Sequence, residues 1–370
     1  PSRPSSQPPT QPSRTEKSKV VDEEFLALKE EGNFQDAVRL ARERVAQSEK
    51  ESGPDHLQTA IWLNQLGQLH SLLADYDQAE QAYLRSLDIK QKAKRPSNLN
   101  IAVSLLNLGD LYVIKGDYAQ AEPLLQQARE LREKALGVNH PDVAPCLASL
   151  GRLKMFTGDY GAAEALNQRA LAMNEQALGP DHWRVAACLD NLSEIRKYQG
   201  DLPVAEALSR RALAIREKAA RPDSPLLARN LNNLASIQVV MGRYSQAEAL
   251  YKRALEVYGR SFGAEHPAAA QCLSNLAELY RTLGNYQRSE QLQRQALDIL
   301  EKTYGTYHPR VARAVERMGG LYAASGDYRQ ALQRYRQALD ITEKTVGTDH
   351  PEEAKGLDGV GCAYSGLGNY

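Results

Sequence analysis

A large apolar residue followed at once by a small one recurs along the chain, at Leu66-Gly67, Leu108-Gly109, Leu150-Gly151, Leu192-Ser193, Leu234-Ala235, Leu276-Ala277, Met318-Gly319 and Val360-Gly361. A second fixed position carries Ala37, Ala79, Ala121, Ala163, Ala205, Ala247, Ser289 and Ala331. Between the two stands a turn made of Gly, a polar residue and usually an aromatic one. It is found at Gly32-Asn33-Phe34, Gly116-Asp117-Tyr118, Gly158-Asp159-Tyr160, Gly200-Asp201-Leu202, Gly242-Arg243-Tyr244, Gly284-Asn285-Tyr286, Gly326-Asp327-Tyr328 and Gly368-Asn369-Tyr370, with Ala74-Asp75-Tyr76 in the remaining place. All positions keep a 42-residue spacing without insertion. The pattern predicts two amphipathic helices per period, helix A before the turn and helix B after it, each about 17 residues long.

Breakers and caps mark the ends. Glycine at the turn takes positive φ without steric cost and ends helix A. Helix B is expected to end at a second glycine: Gly53, Gly137, Gly179, Gly263, Gly305 and Gly347. Three residues later come His140-Pro141, His266-Pro267, His308-Pro309 and His350-Pro351. A proline there suits the first turn of the next helix A, where its missing N–H costs nothing. Large apolar residues beside small ones let helices A and B approach closely. One helix pair cannot bury its apolar face alone, so each repeat depends on its neighbours.

The stretch Leu231 to Tyr258 and the loop Leu136 to Ala144 resemble the tetratricopeptide repeat, in its 42-residue, kinesin-light-chain-like variety. The resemblance runs from about Gly32 to the end of the chain. It implies an all-α fold: a right-handed α-solenoid, or superhelix, of helix-turn-helix repeats. On this reading residues 1–18, rich in Pro, Ser and Gln, are a flexible linker, and 19–370 form a solenoid of about eight repeats, truncated in the ninth.

Some positions depart from the pattern. The first helix A, around Lys19 to Glu31, has Glu24 and Phe25 in the large-small slots and reads as a degenerate amino-terminal cap. Arg95-Pro96-Ser97-Asn98 and Arg221-Pro222-Asp223-Ser224-Pro225 replace His-Pro, with Asn98 and Ser224 as the expected N-caps. A tyrosine slot four residues before the turn holds Tyr112, Tyr280, Tyr322 and Tyr364, but Lys154, Arg196 and Gln238 in the middle repeats. These three suggest a local change of groove chemistry. The chain begins at Pro1 rather than Met and stops at Tyr370 without a last helix B, which fits a processed product or a fragment.

Composition narrows the function classes. The chain has 46 Lys+Arg against 46 Asp+Glu, and a net charge of zero argues against nucleic-acid binding. No run of roughly 18 apolar residues spans a membrane, and Pro1 to Lys19 has no apolar core of a signal peptide. Four cysteines in 370 residues make no disulfide framework and suit a reducing, cytoplasmic setting.

Candidate chemistry is thin. His56, His140, His182, His266, His308 and His350 share a register, and Cys146, Cys188 and Cys272 follow three of them six residues on. That spacing turns the second residue about 120° away on the helix, unlike the i, i+4 spacing of metal-binding helices, so the cysteines read as small core residues. Cys362 stands outside this register, and His70 occupies a tyrosine slot, where it reads as packing. No nucleophile, P-loop or zinc-protease motif is present. Glu80, Glu122, Glu164, Glu206, Glu248 and Glu290 recur at one helix B slot and read as a solvated face with i,i+4 pairs. No enzyme activity, cofactor or metal is expected.

The resemblance places the working surface on the A helices, at slots 13, 10, 9, 6, 3 and 2 residues before the turn. Those slots hold Asn107, Asn191, Asn232, Asn233 and Asn275, together with Arg152, Lys197, Arg229, Arg281, Arg313 and Arg317, against Asp190, Glu194, Glu278 and Glu316. Asn amides there either clamp the backbone of an extended peptide or bond neighbouring helices. The arginine forks favour an acidic segment. The expected function is a non-catalytic scaffold that binds an extended partner segment in the concave groove. The alternative is the sensor or docking region of a larger effector, such as a caspase-like peptidase. Open solenoid ends also allow self-association.

Overall fold

The computed structural model describes residues 24–29, 33–73, 75–218, 224–346 and 351–368, and every regular element among them is helical. The chain divides into two compact units, Pro1–Leu131 and Arg132–Tyr370. The first holds a helical run at 24–29, then α1 (Phe34–Ser52), α2 (Leu57–Leu72), α3 (Tyr76–Lys92), α4 (Asn98–Lys115) and most of α5 (Tyr118–Leu136). The second begins in α5 and continues with a 3-10 turn (Pro141–Val143), α6 (Ala144–Phe156), α7 (Tyr160–Leu178), α8 (Trp183–Tyr198) and α9 (Leu202–Lys218). It goes on through α10 (Pro225–Val240), α11 (Tyr244–Phe262), α12 (Pro267–Thr282), α13 (Tyr286–Tyr304), α14 (Pro309–Ala324), α15 (Tyr328–Val346) and α16 (Pro351–Gly366). Even numbers are A helices and odd numbers are B helices, packed as successive pairs. The expected linker at 1–18, the turns at Gly32 and Ala74, residues 219–223, Gly347, His350 and residues 369–370 lie outside the described residues.

The turn between A and B works as two caps in three residues. At the α4 end Gly116 sits at φ 83°, and its N–H and that of Asp117 return to the carbonyls of Val113 and Tyr112. Asp117 then caps α5 by accepting the Gln120 N–H at 3.1 Å. Asp159, Asn285 and Asp327 repeat that bond at 3.0–3.2 Å.

The next junction, from B to A, is capped by histidine. Nδ1 of His56, His140, His182, His266 and His308 each accepts a backbone N–H two residues on, at 3.1–3.2 Å. One expected cap is corrected. Ser97, not Asn98, caps α4, because its hydroxyl reaches the Asn100 N–H at 3.4 Å while Asn98 is already the first helical residue. Ser224 holds the cap position of α10, but its side chain makes no capping bond. Before α6 the first turn is 3-10, with the Ala144 N–H on the Pro141 carbonyl. The second proline, Pro145, has no N–H to offer that carbonyl in an α-helical turn.

The small slots are small because something large faces them. A Cβ on Gly67 would lie 2.6 Å from the Tyr83 ring, and one on Gly109 would lie 2.7 Å from Leu125. The Ala slot on helix B is fully buried from Ala37 to Ala331, with Ser289 at 2% exposure. Phe25, in the degenerate first helix, is buried and meets Trp62 edge-on at 5.1 Å.

One slot near the end of helix B changes from repeat to repeat and, from Ser48 to Arg216, carries a different buried polar group each time. Ser48 meets the Thr59 hydroxyl at 2.8 Å. Lys90 donates to the Ser104 hydroxyl at 2.7 Å, Arg132 to the Asp142 carbonyl at 2.6 Å, and Asn174 to the Cys188 sulfur at 3.4 Å. Arg216 pairs with Asp190, while Tyr258 and Leu300 fill the slot in later repeats.

Candidate functional site

In the second unit each A helix touches the next A helix, whereas among the described residues the B helices contact A helices only. Rows of helices that approach one another on the A side curve with that side inward. The A faces of α6, α8, α10, α12 and α14 are therefore the surface on which the candidate side chains are arranged.

The asparagines form bonds between helices. Asn107 donates to Asn64 at 3.0 Å in the first unit, and in the second Asn191 donates to Asn167 at 3.0 Å. Across α10, α12 and α14 runs a ladder: Asn232 donates to Asn233 at 3.4 Å, Asn275 to Asn232 at 3.0 Å, and Arg317 to Asn275 at 3.3 Å. Of the two roles open to these amides, bonding neighbouring helices is the one the geometry displays.

The charged candidates separate into groups. Lys197 reaches the Ser236 hydroxyl at 3.4 Å and lies over the Tyr198 ring. Arg281 is paired within its own helix to Glu278. Arg152 is half-buried, whereas Arg229 and Arg313 are exposed. Arg317 is half-buried, and burial together with the like charge of Arg313 holds its guanidinium below the ordinary arginine range. Asp190 is corrected: it is not a groove charge. Its carboxylate is 7% exposed and accepts from Arg216 Nη1 at 3.1 Å, Arg216 Nη2 at 2.5 Å and Asn230 Nδ2 at 2.7 Å.

Two of the middle-repeat residues of the tyrosine slot, Arg196 and Gln238, are corrected likewise. Tyr112, Tyr280 and Tyr322 donate to Glu80, Glu248 and Glu290 of the preceding helix B at 2.7–2.8 Å. Arg196 and Gln238 make the same bond, to Glu164 and Glu206. Arg196 and Gln238 thus keep a donor facing a glutamate and preserve a structural bond rather than alter the groove. The glutamates do make their i,i+4 pairs, as in Lys252 to Glu248 and Arg294 to Glu290. Hydrogen bonds from Lys252 and Tyr280 hold the Glu248 carboxyl below the usual carboxylate range, against the opposing effect of burial.

Histidine and cysteine do not converge. Cys146, Cys188 and Cys272 are buried, Cys362 is exposed, and burial pushes the thiols of Cys188 and Cys272 up to about 11 and about 12. A thiol held protonated is a poor metal ligand. His70 is buried between Arg42 and Asp75, as its packing slot suggested. Among the described residues no three potential ligands form a metal-holding group.

Sequence reasoning named none of the residues of an exposed apolar row. Phe156, Tyr198 and Val240, each two residues before its turn on α6, α8 and α10, are 48%, 52% and 62% exposed. It also left out a cleft of about 250 Å³ between α12 and α14, lined by Gln271, Ser274, Arg310, Arg313 and Arg317 over Leu300. The apolar row was visible in the sequence, since the slot two residues before the turn, already assigned to ligands, holds Leu72, Ile114, Phe156, Tyr198 and Val240 in succession.

The tetratricopeptide repeat family matches residues 26–92, 100–176, 149–218, 226–302, 277–344 and 310–370. The chain belongs to that family. Tetratricopeptide repeats serve in general as non-catalytic scaffolds for protein interaction. No curated protein matches the chain. Among solved structures it is similar to a Rap protein in complex with Competence and Sporulation Factor, at 15% identity and TM-score 0.61, covering 89% of this chain and 98% of that one. It is similar to a signal transduction ATPase of Pyrococcus horikoshii with a tetratricopeptide repeat sensor, at 15% identity and TM-score 0.56, over 92% of this chain and 50% of that one. It also matches repeats of a Podosopora anserina protein described as a kinesin light chain, at 23% identity and TM-score 0.47, over 55% of this chain and 97% of that one. At these identities the likeness concerns the fold alone. Among the described residues no helix is long and apolar enough to cross a membrane.

Proposed function

We propose that the A-helix face of the second unit binds an extended segment of a protein partner. The observation that carries this is the row Phe156, Tyr198 and Val240, 48–62% exposed on three successive A helices. Solvent-facing apolar side chains in register gain free energy when a partner covers them. Lys197 and Arg229 lie on the same helices as that row and suit a segment bearing carboxylates between apolar anchors. Three buried thiols and one exposed thiol suit a reducing, cytoplasmic setting.

Selection of binders from a random peptide library tests this reading. Tyr198→Asp combined with Val240→Asp should weaken the selected peptides about tenfold or more, with the far-UV circular dichroism unchanged. Arg210→Glu, on helix B, should leave binding intact. Equal affinity for the groove variant would refute the assignment. The similarity to a repeat sensor inside an ATPase supports a second reading, in which this array is the sensor of a larger effector; a complete reading frame without a further domain would remove it.

A further inference from the structure

We propose, resting on that groove reading, that the cleft between α12 and α14 is a subsite for a phosphorylated serine or threonine side chain of the partner. Arg310, Arg313 and Arg317 lie three and four residues apart on α14, so one helical face presents all three guanidinium groups. Gln271 and Ser274 of α12 form the opposite wall, and Leu300 lies at its base. Among the described residues no carboxylate lines the cleft.

Arg310 and Arg317 are held in place by neighbouring side chains. Arg310 donates to the Tyr304 hydroxyl at 3.1 Å and lies over that ring, which in turn stacks on His308. Arg317 donates to Asn275 Oδ1 at 3.3 Å, an oxygen that also accepts from Gln271 at 3.0 Å. The asparagine ladder therefore positions a guanidinium in the cleft. A held guanidinium loses less entropy on binding an anion than a free one.

The chemistry of the wall selects the anion. A carboxylate brings one charge and two oxygens. A phosphoryl group brings a charge of about −1.5 to −2 and three acceptor oxygens, which match three arginine forks. The volume, about 250 Å³, is below the roughly 300–1,000 Å³ of sites for whole small molecules. It suits one modified side chain of a longer segment.

Small probes test this independently of any partner peptide. N-acetyl-O-phosphoserine amide, N-acetylglutamate amide and inorganic phosphate would be titrated into the full chain, with arginine Nε–H resonances and calorimetry as readouts. The phosphoserine probe should bind about tenfold or more tightly than the other two. Arg313→Gln and Arg317→Gln should each weaken it about tenfold, the equivalent of one charge-assisted hydrogen bond, and Arg210→Gln, on helix B, should not. Arg313 is exposed, so its variant reports on binding even if Arg317→Gln disturbs the fold. Glutamate binding as tightly as phosphoserine overturns the proposal. Inorganic phosphate binding as tightly overturns the assignment to a side chain. A peptide selected on the groove that still binds while phosphoserine does not would sink this subsite alone.

Discussion

Removing the carboxylate of Asp190 should be among the most damaging single changes in the second unit. The side chain joins α8 to Arg216 on α9 and to Asn230 on α10, so one group ties together two successive repeats. Asp190 and Arg216 are 7% and 6% exposed, and Asn230 is fully buried. Asp190→Ala strands a guanidinium with no counter-charge and costs Asn230 an acceptor. Such an uncompensated buried charge typically costs about 3–5 kcal/mol. Asp190→Asn keeps one oxygen for the same donors but loses the charge, which places its cost at about 2 kcal/mol. The double variant Asp190→Leu, Arg216→Met removes both charges and keeps apolar volume, so it should recover to within about 2 kcal/mol of the parent. The assay is urea unfolding followed by circular dichroism, fitted to a nearest-neighbour repeat scheme because an array need not unfold in one step. A cost below about 1 kcal/mol for Asp190→Ala, or single-variant costs that simply add in the double variant, would refute the view that this pair acts as one buried unit.

Glycine at two helical positions should respond in opposite directions. Gly67→Ala gains about 1 kcal/mol of helix propensity but drives a methyl to 2.6 Å from the buried Tyr83 ring, so thermal melting should show a net loss of about 1–2 kcal/mol, whereas Gly259→Ala, with nothing within 4 Å, should gain about 0.5–1 kcal/mol. Lys90 is 4% exposed, and burial pulls its ammonium from 10.5 down to about 8. The folded chain therefore releases a proton that the unfolded chain still holds, so stability rises with pH between about 8 and 10.5, worth about 3 kcal/mol in all. Lys90→Met should accordingly be more stable than the parent at pH 7, and the gap in urea midpoint should close as pH approaches 10; a constant gap would contradict burial of the charge.

Much of the fold was legible because local backbone demands are met by single residues. A left-handed turn needs the glycine at Gly116, a helix start needs the oxygen of Asp117, and a close crossing needs the missing side chain at Gly109. Each repeats in place, so the 42-residue register and the A and B helices could be read directly. The histidine slot was legible as a helix start, although its capping bond through Nδ1 was visible only in the folded chain.

What only the tertiary structure decided concerns partners on different helices. Arg216 could not be matched to Asp190, 26 residues earlier, nor Arg196 to Glu164, 32 residues earlier, because the period names a slot and not what faces it. The same holds for the Asn232, Asn275 and Arg317 ladder, whose members are 42 or 43 residues apart. Periodicity prescribes which face a residue occupies; packing distance then determines whether its charge is buried within the scaffold, as at Asp190, or lines a cleft, as at Arg313.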